Sequence, residues 1–560
     1  MNRNALAAFT FAPLLLSANS WAQTPLASVD GEFAGDRFAD AVAGIGDVNG
    51  DTIPDWAVGA PHANPNGLHS GRAVVISGAT GVELLMYEGN SANDQFGSAV
   101  AGADLNGDGF SDLVVGAHGD DAGGSESGTV TVYSGFDGGQ MYFRTGMTPG
   151  DYYGYELSIV PDVDGDNLPE ILVGAWTAGG AGINAGQAQL IKGSDGSILQ
   201  TWGGAQAYDF FGKAVAGLED VNGDGFGDVL IGAPGRMNGR GAAFVYSGAT
   251  GALLASYAGD NSNDSFGAVL SSAGDLNGDG RGDFMIASPG SDLAQVNGGM
   301  VEVFNGKRGN KLFTFFGQAV GDYFGSSLAG GLDLTGDSVP ELIIGTPHAD
   351  PKGSSSGQVR VFSGSDGALV ATLDGLASKD SFGGAVACSP DTNGDGAGEL
   401  LIGAWGEDTG SGAFAGKLHV ITFAVEPTNV VSYCSSAPNS NGTSASMDHA
   451  GSTLVAANDF QLTALGAVPN VPGLFFYGPN ESSTPFGDGT LCVGGQIARF
   501  DATTTDSQGL ASVAVDFTAP PIPSAVISAG STWKFQFWYR DPAGVQAPFN
   551  LSNGLSVTFE

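Results

Sequence analysis

A nine-residue pattern recurs seven times along this chain and limits its possible folds more than any other feature. The copies begin at Asp47 (DVNGDTIPD), Asp104 (DLNGDGFSD), Asp162 (DVDGDNLPE), Asp220 (DVNGDGFGD), Asp275 (DLNGDGRGD), Asp333 (DLTGDSVPE) and Asp391 (DTNGDGAGE), at intervals of 57, 58, 58, 55, 58 and 58 residues. Self-similarity at a fixed period of this length marks a repeat architecture in which each unit is one supersecondary element. The surroundings repeat as well. An aromatic-Gly step lies upstream at Phe96-Gly97, Tyr153-Gly154, Phe211-Gly212, Phe266-Gly267, Phe324-Gly325 and Phe382-Gly383, with Phe38-Ala39 departing in the first copy. A short apolar run follows each pattern, as in Leu113 to Ala117, then an alternating stretch such as Thr129 to Tyr133, then a Gly-rich turn and a fourth run. Alternation of this kind bounded by turn residues reads as strands. Four strands per unit make one propeller blade, and the 93 glycines supply the turns that so many short strands need.

Seven copies predict an all-β, seven-bladed β-propeller. Blade seven has only three strands before the chain leaves it near Phe423. Leu26-Ala27-Ser28-Val29-Asp30 stands ahead of Phe38 as Leu369 to Leu373 stands ahead of Phe382. The N-terminal strand is therefore expected to supply the missing edge of blade seven and close the ring, which removes the open sheet edges.

Phe-Gly, then an acidic loop, then Gly-Ala-Pro (literal at Gly59-Ala60-Pro61 and Gly232-Ala233-Pro234) resembles the FG-GAP repeat of integrin α subunits over about residues 26–423. The resemblance implies a propeller that serves adhesion or binding.

The nine-residue loops themselves point to Ca²⁺. Positions 1, 3 and 5 offer side-chain oxygens, position 7 a backbone carbonyl and position 9 a carboxylate, with no His or Cys among them, and hard oxygen donors favour Ca²⁺ over zinc or copper. The predicted ligand sets are Asp47, Asn49, Asp51, Ile53 and Asp55; Asp104, Asn106, Asp108, Phe110 and Asp112; Asp162, Asp164, Asp166, Leu168 and Glu170; and Asp220, Asn222, Asp224, Phe226 and Asp228. The remaining three are Asp275, Asn277, Asp279, Arg281 and Asp283; Asp333, Thr335, Asp337, Val339 and Glu341; and Asp391, Asn393, Asp395, Ala397 and Glu399. Asx turns alone would account for positions 1 to 5, but a turn has no need of an acid at position 9, and all seven copies carry one. The loop at Asp162 has four carboxylates. The loop at Asp333, with Thr335 and Ser338, is expected to be the weakest. The loops hold 22 of the 59 acids, so about seven structural Ca²⁺ would bring the net charge from −40 to −26. A chain this acidic repels nucleic acid and anionic membranes.

Residues 1–22 read as a secretory signal: Arg3, an apolar stretch from Ala5, and Ser20-Trp21-Ala22 as the cleavage site. No later run is long enough for a membrane helix. The expected organisation is signal peptide 1–22, propeller 23–423, linker 424–432 and a β-sandwich-like domain 433–560, where Ser, Thr, Pro and aromatics dominate and runs such as Trp533 to Tyr539 alternate. The segments Leu474 to Gly478 and Phe537 to Pro542 are similar to a C-terminal module of exported proteins of planctomycete-like bacteria. Cys434 and Cys492 share that domain and are predicted to form a disulfide, with Cys388 free.

Arg281-Gly282-Asp283 spells an integrin-recognised tripeptide, but it occupies positions 7 to 9 of the fifth loop, so Asp283 is expected to face the ion. His62, His118 and His348 follow the second strand in blades that are not all adjacent. No nucleophile elbow, His-Glu-x-x-His or phosphate loop is read in the chain. The expected function is that of an exported or cell-surface protein, monomeric and non-enzymatic, that binds an extracellular protein or glycan. The alternatives are a polysaccharide-active enzyme with its site at the channel mouth and an envelope scaffold.

Overall fold

The computed structural model describes residues 23–423, 430–434, 436–450, 455, 458, 460–522, 525–544 and 547–559. The secretory signal and most of the linker read from the sequence lie outside the described residues. The chain divides into two compact units, Met1–Val425 and Glu426–Glu560.

In the first unit the described residues form seven four-stranded antiparallel sheets. Blade one is Ala41–Gly46, Asp55–Ala60, Arg72–Ile76 and Glu83–Glu88, and the later blades repeat that order. Blade seven is Phe382–Ser389, Glu399–Ala404 and Lys417–Phe423, with Gln23–Asp30 as its fourth strand. The closing pair is antiparallel, Val29 opposite Leu418 and Asp30 opposite Lys417. The inner strand of each blade neighbours that of the next, and blade seven's neighbours blade one's, so the ring is closed.

Burial explains the composition of the strands. Every residue of all seven second strands is buried, including Asp55–Ala60 and Glu399–Ala404. A strand packed on both faces reads as a continuous apolar run. The outer strands are less enclosed, and Glu83–Glu88 has only exposed and half-buried positions. The cores lie between blades: Ile45 and Val75 pack with Val100 and Leu113, and across the closure Trp56 and Val58 pack with Leu401 and Val420.

The aromatic-Gly steps join one blade to the next. The aromatic rings are buried, from Phe324 at 0% exposure to Phe38 at 8%. Five of the six aromatic-Gly steps form a parallel bridge to a glycine before the third strand of the preceding blade, such as Gly71 with Phe96. Around the closure the same bridge joins Phe38 to Gly416. The Gly97 N–H donates to the Gly116 carbonyl at 2.9 Å, tying the step to the end of the second strand of its own blade. Ala39 makes the equivalent bond to Gly59 at 3.0 Å, with φ of 65°. The departure in the first copy therefore keeps the glycine's backbone geometry, in a region costly for a side chain.

The second unit holds a larger and a smaller sheet over one core. The larger runs Val430–Tyr433, Gly554–Thr558, Thr532–Arg540, Pro472–Gly478 and Ala498–Arg499, and the smaller is Ser446–Ala450, Gln461–Leu465 and Ala511–Ala514. Phe460 and Leu462 from one sheet pack with Phe475, Phe535, Phe537 and Val557 from the other. Most of the aromatics that mark this segment are thus core. A disulfide joins Cys434 to Cys492 with Cα atoms 6.2 Å apart. Cys388 is free, and burial pushes its thiol up to about 12, so it stays protonated.

Candidate metal centres

Each nine-residue loop connects the inner strand of a blade to its second strand. Its shape follows from the side chain at position 1. Both oxygens of Asp47 accept backbone N–H bonds, from Gly50 at 2.7 Å and Thr52 at 2.7 Å. The same wrap recurs around Asp104, Asp162, Asp220, Asp333 and Asp391. The chain turns this tightly because position 4 is always glycine in the left-handed region, with φ from 69° at Gly278 to 93° at Gly223. A neighbour also excludes a side chain there: a Cβ on Gly50 would lie 2.8 Å from the Phe110 ring, at position 7 of the next loop. Position 5 accepts from the N–H of position 7, as Asp51 does from Ile53 at 2.9 Å, Asp108 from Phe110 at 2.9 Å and Asp166 from Leu168 at 2.9 Å.

Position 9 is the distinctive residue. Asp55, Asp112, Glu170, Asp228, Asp283, Glu341 and Glu399 are each 0% exposed. Each accepts the N–H of position 2, at distances such as 2.9 Å for Val48 to Asp55 and 2.7 Å for Leu334 to Glu341. Where position 9 is Asp, its second oxygen accepts a glycine N–H at the end of the third strand, as Asp228 does from Gly248 at 3.2 Å. Where position 3 is Asn, its amide also donates to position 9: Asn277 to Asp283 at 2.8 Å, and Asn393 to Glu399 at 2.8 Å. Thr335 uses its hydroxyl in the same way, 3.1 Å from Glu341.

Loop three breaks the rule. Asp164 stands at position 3 and has no proton to donate. The Glu170 Oε1 is left buried without a partner, an arrangement that costs free energy unless a cation or donor meets it. Lys192 Nζ bridges Asp164 at 2.5 Å and Asp166 at 2.7 Å, so loop three has an internal ammonium beside its carboxylates. Burial first, then neighbouring carboxylates of the loop, raise Glu170 to about 8. Glu341 and Glu399 rise to about 7, and Asp55, Asp112, Asp228 and Asp283 to about 6, again chiefly through burial.

Among the described residues, three sets of carboxylates have ligand atoms within 4.8 Å of one another: Asp162, Asp164 and Asp166; Asp333, Asp337 and Glu341; and Asp391, Asp395 and Glu399. All three belong to loops that end in Glu; in the sixth and seventh the Glu itself joins the set, and in the third the set is made by the extra acid at position 3. The Asp333 loop is one of them. The side chain of Arg281 turns away from its own loop and pairs with Asp220 of the preceding one at 3.0 Å. Asp283 is buried and bonded to Leu276 and Gly306, so the Arg-Gly-Asp string presents no free carboxylate. One Gly-x-Ser-x-Gly string, Gly353–Gly357, escapes the sequence reading. It lies between the strands Glu341–Thr346 and Gln358–Ser363, and no helix follows it, so the strand-to-helix elbow is missing.

The FG-GAP repeat family matches residues 96–133, 211–247, 266–304 and 324–362, which fall in blades two, four, five and six. The chain carries FG-GAP repeats. Integrin alpha-5 of Xenopus laevis is 30% identical over 207 residues, 34% of this chain and 19% of that protein. Integrin alpha-V of Gallus gallus is 30% identical over 214 residues, 35% and 20% of the two chains. Integrin alpha-IIb of Homo sapiens is 32% identical over 222 residues, 36% and 20%. The FG-GAP propeller is therefore integrin-α-like, and the match spans about a fifth of the length of these relatives.

Sequence reasoning missed two features of the FG-GAP propeller. Lys192 reaches loop three from the end of the third strand of its blade, where no loop pattern would flag it. A group of titratable side chains at the channel mouth also went unread, although one of them, Glu156, stands where the other blades carry small uncharged residues.

Proposed function

We propose that this chain is an exported calcium-binding propeller that binds an extracellular protein or glycan, with Ca²⁺ holding the frame and not taking part in chemistry. The observation that carries the reading is the gathering of carboxylates in the third, sixth and seventh loops, with ligand atoms within 4.8 Å of one another, together with a fully buried acid at position 9 of every loop and one buried Glu170 oxygen lacking any partner. The oxygen-only donor sets suit Ca²⁺. Positions 1, 3, 5 and 9 would ligate through side chains and position 7 through its carbonyl, in all seven loops. The ion supplies positive charge where the fold gathers carboxylates, and it pins the first two strands of each blade at one end.

Similarity to integrin α subunits supports a binding role, and residues 1–22 support export. The propeller is assigned to residues 23–423 and a separate C-terminal β domain to residues 433–560. A propeller is a rigid frame for displayed loops, and its function resides in the sites those loops build. Among the described residues no helix is long and apolar enough to cross a membrane.

The test is a printed array of extracellular-matrix proteins and glycans probed with the full mature chain in calcium and in chelator. Binding of at least one ligand in calcium, lost in chelator, is expected. No ligand on either array in calcium would contradict the binding reading.

A further inference from the structure

The seven inner strands line a channel. At the end where those strands begin it opens into a cavity of about 620 Å³ with walls from all seven blades. That volume lies in the range of small-ligand sites. The repeat allows each wall position to be compared across blades. Three residues after the aromatic of the aromatic-Gly step, six blades carry Ala41, Ala99, Ala214, Val269, Ser327 and Ala385, and blade three carries Glu156. One position earlier, blade one carries Asp40 and blade four Lys213, where blades two and six have Ser98 and Ser326 and blades five and seven Ala268 and Gly384. All of these side chains line the mouth.

The Arg37 charge acts on Asp40 and Lys213 lies by an aromatic ring, but these charges are not in salt bridges. Among the described residues neither Asp40, Glu156 nor Lys213 forms an ion pair. The Glu156 carboxyl is enclosed by the channel wall, although the residue as a whole is only half-buried. A propeller wall gains nothing from an unpaired buried carboxylate, which costs free energy unless something meets it. Beside the charges stands an aromatic surface. Trp176 packs on Tyr152, Tyr155 and Phe210 with ring centroids 5.9, 5.5 and 5.3 Å away, and Lys213 Nζ lies 5.7 Å from its ring. The Trp176 Nε1 proton is buried and unpartnered. Elsewhere the wall includes the neutral polar side chains of Asn263, Asn297 and Ser326.

We propose that the channel mouth is a saccharide site that takes the end of a neutral glycan, with Asp40, Glu156 and Lys213 hydrogen-bonding hydroxyls and a sugar ring lying against Tyr155, which Trp176 backs from outside the cavity lining. The inventory fits a polyhydroxyl ligand, because each sugar hydroxyl both donates, to a carboxylate, and accepts, from the ammonium. Two unpaired carboxylates repel an anion, and the enclosed ammonium repels a cation. The aromatic faces offer apolar area with a polar rim. This inference rests on the reading of the chain as a binding protein.

The test is calorimetric titration of the full mature chain in calcium with four neutral oligosaccharides: cello-, xylo-, laminari- and mannohexaose. Two variants restore residues that the repeat itself uses, Glu156→Ala and Lys213→Ser, and their melting curves show whether they fold. At least one oligosaccharide is expected to bind the wild type, and at least tenfold more weakly to each variant that melts no lower than the wild type does. Undiminished binding by both variants would overturn the mouth site while leaving the binding-protein reading intact. Binding of none of the four by the wild type would overturn the saccharide class, as would an arginine-rich peptide that binds the wild type and not Glu156→Ala. Failure of the protein and glycan arrays as a whole would overturn the reading beneath it.

Discussion

A single side chain can be compared in this fold with six others in the same setting, and Glu156 shows what that reveals. Burial raises its carboxyl from the ordinary 4.5 to about 7. The sign follows from linkage: the folded state holds the proton more tightly than the unfolded chain, so stability falls as pH rises between those two values. Below that window both states are protonated and the burial costs nothing; above it the folded state carries an enclosed charge. Glu156→Ala is therefore expected to raise the melting temperature at pH 8 and to change it little at pH 4. An equal shift at both pH values would contradict the assignment. The loop acids were legible in the sequence because their chemistry is set by local spacing, Asp47 to Asp55 within one turn. Glu156, Asp40 and Lys213 were not legible, because what joins them is the approach of three blades around one axis. The signal was present as an exception to the repeat at Glu156, but only ring geometry gives that exception a location.

At the scale of the blade, strand count, strand order and the closing N-terminal strand followed from the repeat, because a blade is local in sequence and a missing fourth strand has few candidates to fill it. What the repeat could not give was contact between a third strand and a loop. Lys192 follows the third strand of blade three, Gln187–Ile191, and its ammonium bridges Asp164 and Asp166. An ion entering loop three has to displace it. Lys192→Met is expected to tighten Ca²⁺ at that loop by roughly threefold or more, the scale of an exposed ion pair, as read by calcium titration of the full chain. Unchanged titration, with a melting temperature lowered equally in calcium and in chelator, would show that Lys192 is only a structural tether. In the C-terminal unit the alternation of Trp533 to Tyr539 gave the strand. Its central place in the larger sheet, between Pro472–Gly478 and Gly554–Thr558, depends on pairings too distant in sequence to read.

The whole molecule is two units with different means of support. The C-terminal unit is tied by the Cys434–Cys492 bond across 58 residues. Closing a loop of that length is worth about 4 kcal/mol in the chain-entropy model. The double change Cys434→Ser with Cys492→Ser is expected to lower the denaturant midpoint of that unit and to leave the propeller transition in place. Movement of the propeller transition instead would contradict the two-unit division. The propeller gathers most of its loop carboxylates at equivalent turns, and the account holds that cations keep those turns closed. Ligands bound only by the folded state stabilise it by mass action. The most direct measurement is the calcium content of the mature chain together with its melting temperature before and after excess chelator. The account predicts about seven ions per chain and a melting temperature many degrees lower in chelator; fewer than three ions, or an unchanged melt, would contradict it.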